Sequence, residues 1–341
     1  MARIIGNLSE HDSYTHPVGP ERNFNESMYF NFFDRQNRIG GFLRIGNRAN
    51  EGHGEMTVSL FRLGDGHVLF SYQREAIGGN ESLDVAGFRV DILEPMESLG
   101  TVYEGSVLDL RSPRDMLNPR VAFKENPQIP IRLELVHTAA GPIYGRKETG
   151  EPPDPALEGV LGTPDAAQMG IASHYEQHMA VRGTLIMEGK TLEIDGLGLR
   201  DHSWGPRYWQ DIKPYLWFTS EFAPDFGMTG MAVWEDAKRQ EARPGGIVVR
   251  GGQLSPVEAV SIEVEYEDEE RVFPKAFQAQ LQLGTGDTLA VQGKILLLIP
   301  LRNRREGKVT RIIESIAEYA CGGYSGFGNT QTMEQYVEQV S

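Results

Sequence analysis

Hydrophobic and polar residues alternate with a period of two wherever this chain shows a period at all. In "IPIRLELVHT" Ile129, Ile131, Leu133 and Leu135 face one way, and Arg132 and Glu134 face the other. "VSIEVEYEDE" repeats the pattern with Val260, Ile262, Val264 and Tyr266 against Ser261, Glu263 and Glu265, and "FQAQLQLG" sets Phe277, Ala279, Leu281 and Leu283 against glutamines. Strands of this kind have one buried and one wet face, as in antiparallel sheets. Turn-forming runs separate them at hairpin spacing: "LGDGH" at 63–67, "EGK" at 188–190, "APDFG" at 223–227 and "LGTGD" at 283–287. Helical signals are few. "TMEQYVEQV" at 332–340 predicts a short C-terminal helix, and "SPRDML" at 112–117 predicts one turn with Ser112 as its N-cap. The expected fold class is all-β.

The clearest break is "TGEPPDPALEGVLGTPDAAQMG", 149–170, whose prolines and glycines interrupt any regular element. It predicts an N-terminal arm at 1–24, a first β domain at 25–150, a linker at 151–169 and a second β domain at 170–341. Each domain is long enough for its own antiparallel barrel or sandwich.

Charge and composition then remove function classes. A net charge of −15 over 341 residues argues against nucleic acid as a partner. The densest basic run, Arg302, Arg304, Arg305, Lys308 and Arg311, reads as a solvated strand edge. The single cysteine, Cys321, excludes an intramolecular disulfide and fits a reducing cytoplasm, the expected location. The first residues lack a signal-peptide core, and "ILLLIP" at 295–300 is far too short for a transmembrane segment. A homodimer remains possible. No nucleophile elbow, P-loop or dinucleotide fingerprint is present, so no cofactor is expected. "HYEQH" at 174–178 has the wrong order for a zinc-protease helix. On a strand its two histidines would lie about 13 Å apart, so no metal is expected there.

One stretch stands out. "GLGLRDHSWGPRYW", 196–209, gathers an acid, an imidazole, two arginines and two tryptophans between glycines and a proline. As a strand it places Arg200, His202 and Trp204 on one face and Asp201 and Ser203 on the other. Gly205 and Pro206 then end the strand and put Arg207 at a rim. A second strand, "YLWFTSEF", presents Tyr215, Trp217, Thr219 and Glu221 on one face.

"EQHMAVRGTLIMEGKTLEIDGLGLRDHSWGPR" resembles the second half of the AttH-like, hydroxyneurosporene-synthase-type (carotenoid 1,2-hydratase) superfamily. "NESMYFNFFDRQNRIGGFLRIGNRANEGHGE", 25–55, is similar to the opening of its first half, and Asp201-His202-Ser203-Trp204-Gly205 is the most specific element. The resemblance implies two tandem lipocalin-like (calycin) β-barrels and a hydrophobic small-molecule substrate. Members of the superfamily include carotenoid hydratases and fungal pericyclases.

Residue chemistry gives these implications a form. Hydrating an alkene needs an acid for carbon, a surface tolerating a cation, and a base for water. Asp201 is the candidate acid, since burial in an apolar barrel would keep it protonated. His202 or Glu176 would take the proton from water. Trp204 and Trp217 would face the cation, Tyr175 would hydrogen-bond a substrate oxygen, and Arg207 and Glu221 would complete the binding surface. The competing reading makes Asp201 an ionised partner of Arg200 and Arg207. The leading expectation is a cofactor-independent hydratase, dehydratase or isomerase. The alternatives are a non-catalytic lipocalin-type carrier and a pericyclase or cyclase. Alternation poses the sharpest question, because a regular strand cannot turn Asp201 and the His202–Trp204 face into the same barrel.

Overall fold

The computed structural model describes residues 2–147, 173–235, 239, 241–305 and 307–336. The chain forms two units that divide after Arg207.

The first unit carries β1 (Ile4–Ile5), β2 (Phe24–Asp34), β3 (Ile39–Arg48), β4 (His53–Arg62), β5 (His67–Ala76), β6 (Leu83–Val85), β7 (Phe88–Glu94) and β8 (Ser98–Leu110). It continues with helix α1 (Pro119–Glu125), β9 (Gln128–Arg146), β10 (Ser173–Met187) and β11 (Lys190–Pro206). The strand order is β1-β9-β10-β11-β2-β3-β4-β5-β8-β7-β6. Because β8 also pairs with β9, the sheet returns on itself. Its inward side chains, among them Phe30, Phe32, Leu43, Ile45, Val58, Leu133 and Met179, form one buried core.

The second unit is a closed eight-strand barrel. Its strands are β12 (Tyr215–Ala223), β13 (Phe226–Trp234), β14 (Ala242–Arg250), β15 (Gln253–Tyr266), β16 (Pro274–Leu283), β17 (Thr288–Arg305), β18 (Lys308–Cys321) and β19 (Tyr324–Tyr336). Leu216, Phe218, Phe277, Leu281 and Tyr319 fill it. The Tyr319 hydroxyl donates to the Asn329 carbonyl at 2.8 Å, which satisfies the one polar atom of a ring buried at the centre.

The alternation read from the sequence survives residue by residue. Ile131, Leu133 and Leu135 are buried while Arg132 is exposed, and Phe277, Ala279, Leu281 and Leu283 are buried while the intervening glutamines are exposed. The all-β expectation holds. Among the described residues no helix is long and apolar enough to cross a membrane.

Three expectations need correction. Of the helix expected at 332–340, Thr332–Tyr336 is instead the end of β19, paired with β18 from Val309 to Ile313, because the barrel needs that strand to close, and 337–340 lie outside the described residues. Ser112 does precede a turn, Pro113–Leu117, but caps it with no side-chain hydrogen bond, and the unforeseen helix α1 follows. The domain boundary also moves. The predicted linker, 151–169, lies outside the described residues, yet the strands flanking it, β9 and β10, pair with each other, and β11 pairs with β2. Residues 173–207 therefore belong to the first unit, and the second starts at Tyr208. Local composition marks a break in regular structure, but long-range strand pairing decides which unit owns the chain on either side.

The predicted N-terminal arm is built into the first unit. Ile4 and Ile5 pair in parallel with Ile143 and Tyr144, and Glu10–Ser13 forms a 3-10 turn whose Asp12 accepts hydrogen bonds from the Ser9 N–H and hydroxyl at 2.6 and 2.9 Å.

Candidate functional site

The β10–β11 hairpin organises the site. Glu188 and Gly189 at its tip have φ of 52° and 74°, the left-handed pair that a two-residue hairpin turn requires. That turn sets the register in which Tyr175 faces His202, Glu176 faces Asp201, and Ser173 faces Trp204. Facing residues share a side of the sheet, so the hairpin carries two clusters, one on each face.

The inward cluster holds Tyr175, Arg200, His202 and Trp204. Glu26 joins it from β2, opposite Trp204. His202 Nε2 lies 2.5 Å from Glu26 Oε1, and the two side chains are 1% and 0% exposed. His16, from the N-terminal segment, places its Nδ1 3.1 Å from the same oxygen and stacks its ring on Trp204 at 3.7 Å and 8°. Asp12 meets both rings: its carbonyl oxygen is 3.1 Å from His202 Nδ1, and its Oδ1 is 3.3 Å from His16 Nε2. Lys147 Nζ is 3.1 Å from Asp12 Oδ2. Burial raises the Glu26 carboxyl, but the His16 and His202 rings outweigh burial and hold it at about 2. His202 is lowered, by burial first and against the pull of Glu26, so an ionised carboxylate meets an imidazole that burial keeps from charging. Arg200 lies over the Tyr175 ring at 5.1 Å, with Nη2 3.8 Å from Met96 Sδ.

The outward cluster holds His174, Glu176 and Asp201. His174 Nε2 stands 3.6 Å from Glu176 Oε1 and 3.5 Å from Asp201 Oδ2. The Tyr144 hydroxyl donates to Glu176 Oε2 at 2.6 Å. Burial, then the neighbouring Glu176, raises Asp201 to about 6, although His174, Arg207 and Arg44 pull the other way. Glu176 is instead lowered, because His174 and Tyr144 overcome the cost of burial. His174 is raised by the two carboxylates against burial. Side-chain exposures of 25% for His174 and 21% for Asp201 leave both reachable, whereas Glu176 at 8% is enclosed.

The structure thus separates residues that the sequence reading combined. Asp201 and Glu176 come together on the outward face. His202, Tyr175 and Trp204 come together on the inward one. Arg200 cannot pair with Asp201, because alternation sends it inward. Arg207 donates from Nη2 to Ser203 Oγ at 2.9 Å at the end of β11. Trp217 and Glu221 lie in the second unit, on β12, where Trp217 faces Gln331 across the β12–β19 pairing. That unit also buries Glu314, which burial raises to about 8 against a hydrogen bond from the Gln331 amide.

Several site residues were missed. Glu26 carried a legible signal, since "NESMYF" places it on the same face as Met28 and Phe30, where a lone carboxylate needs a partner. His16 and Asp12 gave none, because only folding brings the N-terminal segment over β2 and β11. Asn80 is buried and donates to the His16 carbonyl at 2.8 Å. "HYEQH" was weighed on its two histidines, whereas His174 meets Glu176 and Asp201. Among the described residues two groups have ligand atoms close enough to share a metal ion, His16–Glu26–His202 and His174–Glu176–Asp201.

With this geometry in hand, the chain can be compared with known proteins. DUF7064, a domain of unknown function, matches residues 9–336. The chain belongs to that family. No curated protein matches the sequence. Among solved structures, the chain is similar to an AttH-type protein (NE1406) from Nitrosomonas europaea, with a TM-score of 0.66 at 14% identity over 99% of this chain and 100% of that one. It is also similar to CghA, with a TM-score of 0.56 at 11% identity over 99% and 95% of the two chains. Kievitone hydratase from Nectria haematococca gives a TM-score of 0.55 at 11% identity over 97% of each chain. This DUF7064 member therefore has the all-β fold of the AttH-like, carotenoid-hydratase-type proteins that its motifs resemble.

Proposed function

We propose that this chain is a cofactor-independent enzyme that adds water to, or removes it from, a C=C bond of an apolar small molecule, working at the outward cluster. The observation that carries this reading is the geometry of Glu176 and Asp201. They face each other across β10 and β11 with the single imidazole of His174 3.5–3.6 Å from both. Two carboxyls pushed in opposite directions divide into an acid and a base. Asp201, which burial raises to about 6, is the acid in the form in which the proton it shares with His174 sits on the carboxyl, and it gives that proton to an alkene carbon. Water adds to the resulting carbocation and loses a proton to His174, whose imidazolium is stabilised by ionised Glu176. His174 is also close enough to return that proton to Asp201, which restores the acid and balances the addition of one water. Tyr144 fixes the Glu176 carboxylate with its 2.6 Å hydrogen bond. The fold that this chain shares with a protein named as a hydratase supports the reaction class.

The test is turnover in heavy water of a panel of apolar alkenes and tertiary alcohols. Deuterium should enter the product carbon, and Asp201→Asn should lower turnover by about 10²–10⁴-fold while leaving binding intact. Binding without turnover by the wild type would make the protein a carrier. Turnover without deuterium, retained in Asp201→Asn, would make it a pericyclase or cyclase.

A further inference from the structure

We propose that His16, Glu26 and His202 form a binding site for a divalent transition-metal ion of zinc type, which fastens the N-terminal segment to β2 and β11. Three ligand atoms converge. His16 Nδ1 and His202 Nε2 lie 3.1 and 2.5 Å from Glu26 Oε1. Zinc bonds of about 2.0–2.1 Å set tetrahedral ligand atoms roughly 3.3 Å apart. The His16 pair already has that spacing, and the His202 pair needs to open by less than about 1 Å.

Counting protons makes the case for a cation. A neutral imidazole carries a single N–H, and both rings face acceptors from both nitrogens, so each ring needs either a second proton or a metal ion in its place. His202 Nδ1 faces the Asp12 carbonyl oxygen, and His16 Nε2 faces Asp12 Oδ1. A metal ion on the shared side takes the lone pairs of His16 Nδ1 and His202 Nε2, and each ring keeps its one N–H for Asp12. The Tyr175 hydroxyl, 3.2 Å from His202 Nδ1, offers His202 a metal-free alternative by donating, but it does nothing for His16.

The outer partners also match what metal sites require, since ligating histidines donate their second N–H to a carbonyl or carboxylate. Asp12 supplies both kinds of acceptor from one residue. Glu26 Oε2, 3.3 Å from His16 Nδ1, also accepts the His16 backbone N–H at 2.9 Å, with Asn80 Nδ2 at 3.4 Å, and Oε1 is the oxygen that meets both rings. Two imidazoles and one carboxylate suit zinc or ferrous iron rather than magnesium or calcium.

The experiment uses the full chain, freed of metal by a chelator and titrated with Co²⁺ as a visible probe and then with Zn²⁺. One equivalent should bind, with the d–d absorption of a nitrogen- and oxygen-ligated ion, and should raise the midpoint of thermal unfolding. His16 is at the surface side of the cluster, so His16→Ala should fold and bind at least 100-fold more weakly. The absence of saturable Co²⁺ binding by the wild type overturns the proposal whatever the variant does. So does one-equivalent binding that His16→Ala leaves unchanged and Glu176→Gln abolishes, which would place the ion at the outward cluster.

Discussion

The two faces of the β10–β11 hairpin differ by one residue of register and have opposite electrostatics. Inward, Glu26 is buried between two histidine rings and is held ionised. Outward, Asp201 shares one histidine with a second carboxylate and is raised to about 6. Burial pushes both acids upward. Around Glu26 the two histidine rings overcome burial, whereas around Asp201 a second carboxylate adds to burial and His174, Arg207 and Arg44 do not overcome it. In the proposals made above, the inward side binds and fastens and the outward side gives a proton.

Four measurements would break or sharpen that contrast. The largest effect expected is on turnover. Asp201→Asn should cost about 10²–10⁴-fold with little change in the urea midpoint, and a fall in stability as large as the fall in rate would make the outward cluster structural.

Glu314 in the second unit is the limiting case, a buried acid that burial raises and the Gln331 amide relieves. Its folded-state pKa is raised, so its contribution is fully present below the unfolded value near 4.5 and is lost as pH rises through about 8. Glu314→Gln should therefore flatten the stability profile over that window and stabilise the protein at pH 9 by an amount on the order of 2–4 kcal/mol. Unfolding curves from pH 4 to 9 would show it, and an unaltered profile would refute the assignment.

On the inward face, Glu26→Gln removes a charged acceptor from buried hydrogen bonds. It should cost about 2–3 kcal/mol in urea unfolding at neutral pH. A neutral result would mean that the His16–Glu26–His202 contacts contribute no net stability. Tyr144→Phe is the mildest change. It deletes one hydrogen bond to Glu176 and should slow turnover by about tenfold, corresponding to about 1.4 kcal/mol, with substrate affinity unchanged. A loss confined to affinity would move Tyr144 from positioning Glu176 to contacting substrate.

Much of this contrast was legible before folding. "LRDHSW" alone separates Asp201 from His202 and Trp204, and the separation holds because β11 is regular through that stretch. The pairing of Arg200 with Asp201 failed for the same reason. What alternation could not reveal was the company each face would keep. Alternation does set His174 beside Glu176 on β10, but Tyr144 and Asp201 meet Glu176 only through the β9–β10–β11 pairing, and His16 and Asp12 reach Glu26 and His202 from the far end of the chain.

The sequence by itself determined the all-β class, which side chains share a face, and the short turns that set register. These follow from the two-residue period of an extended strand and from local backbone sterics, which act between near neighbours. The tertiary structure alone decided that residues 173–207 join the first unit, that Thr332–Tyr336 is a strand, and that the N-terminal segment covers the inward cluster. Each depends on hydrogen bonds between strands distant in sequence. The raised pKa of Asp201 belongs with them, because it depends on burial and on the charged groups that the folded sheet places around one carboxyl.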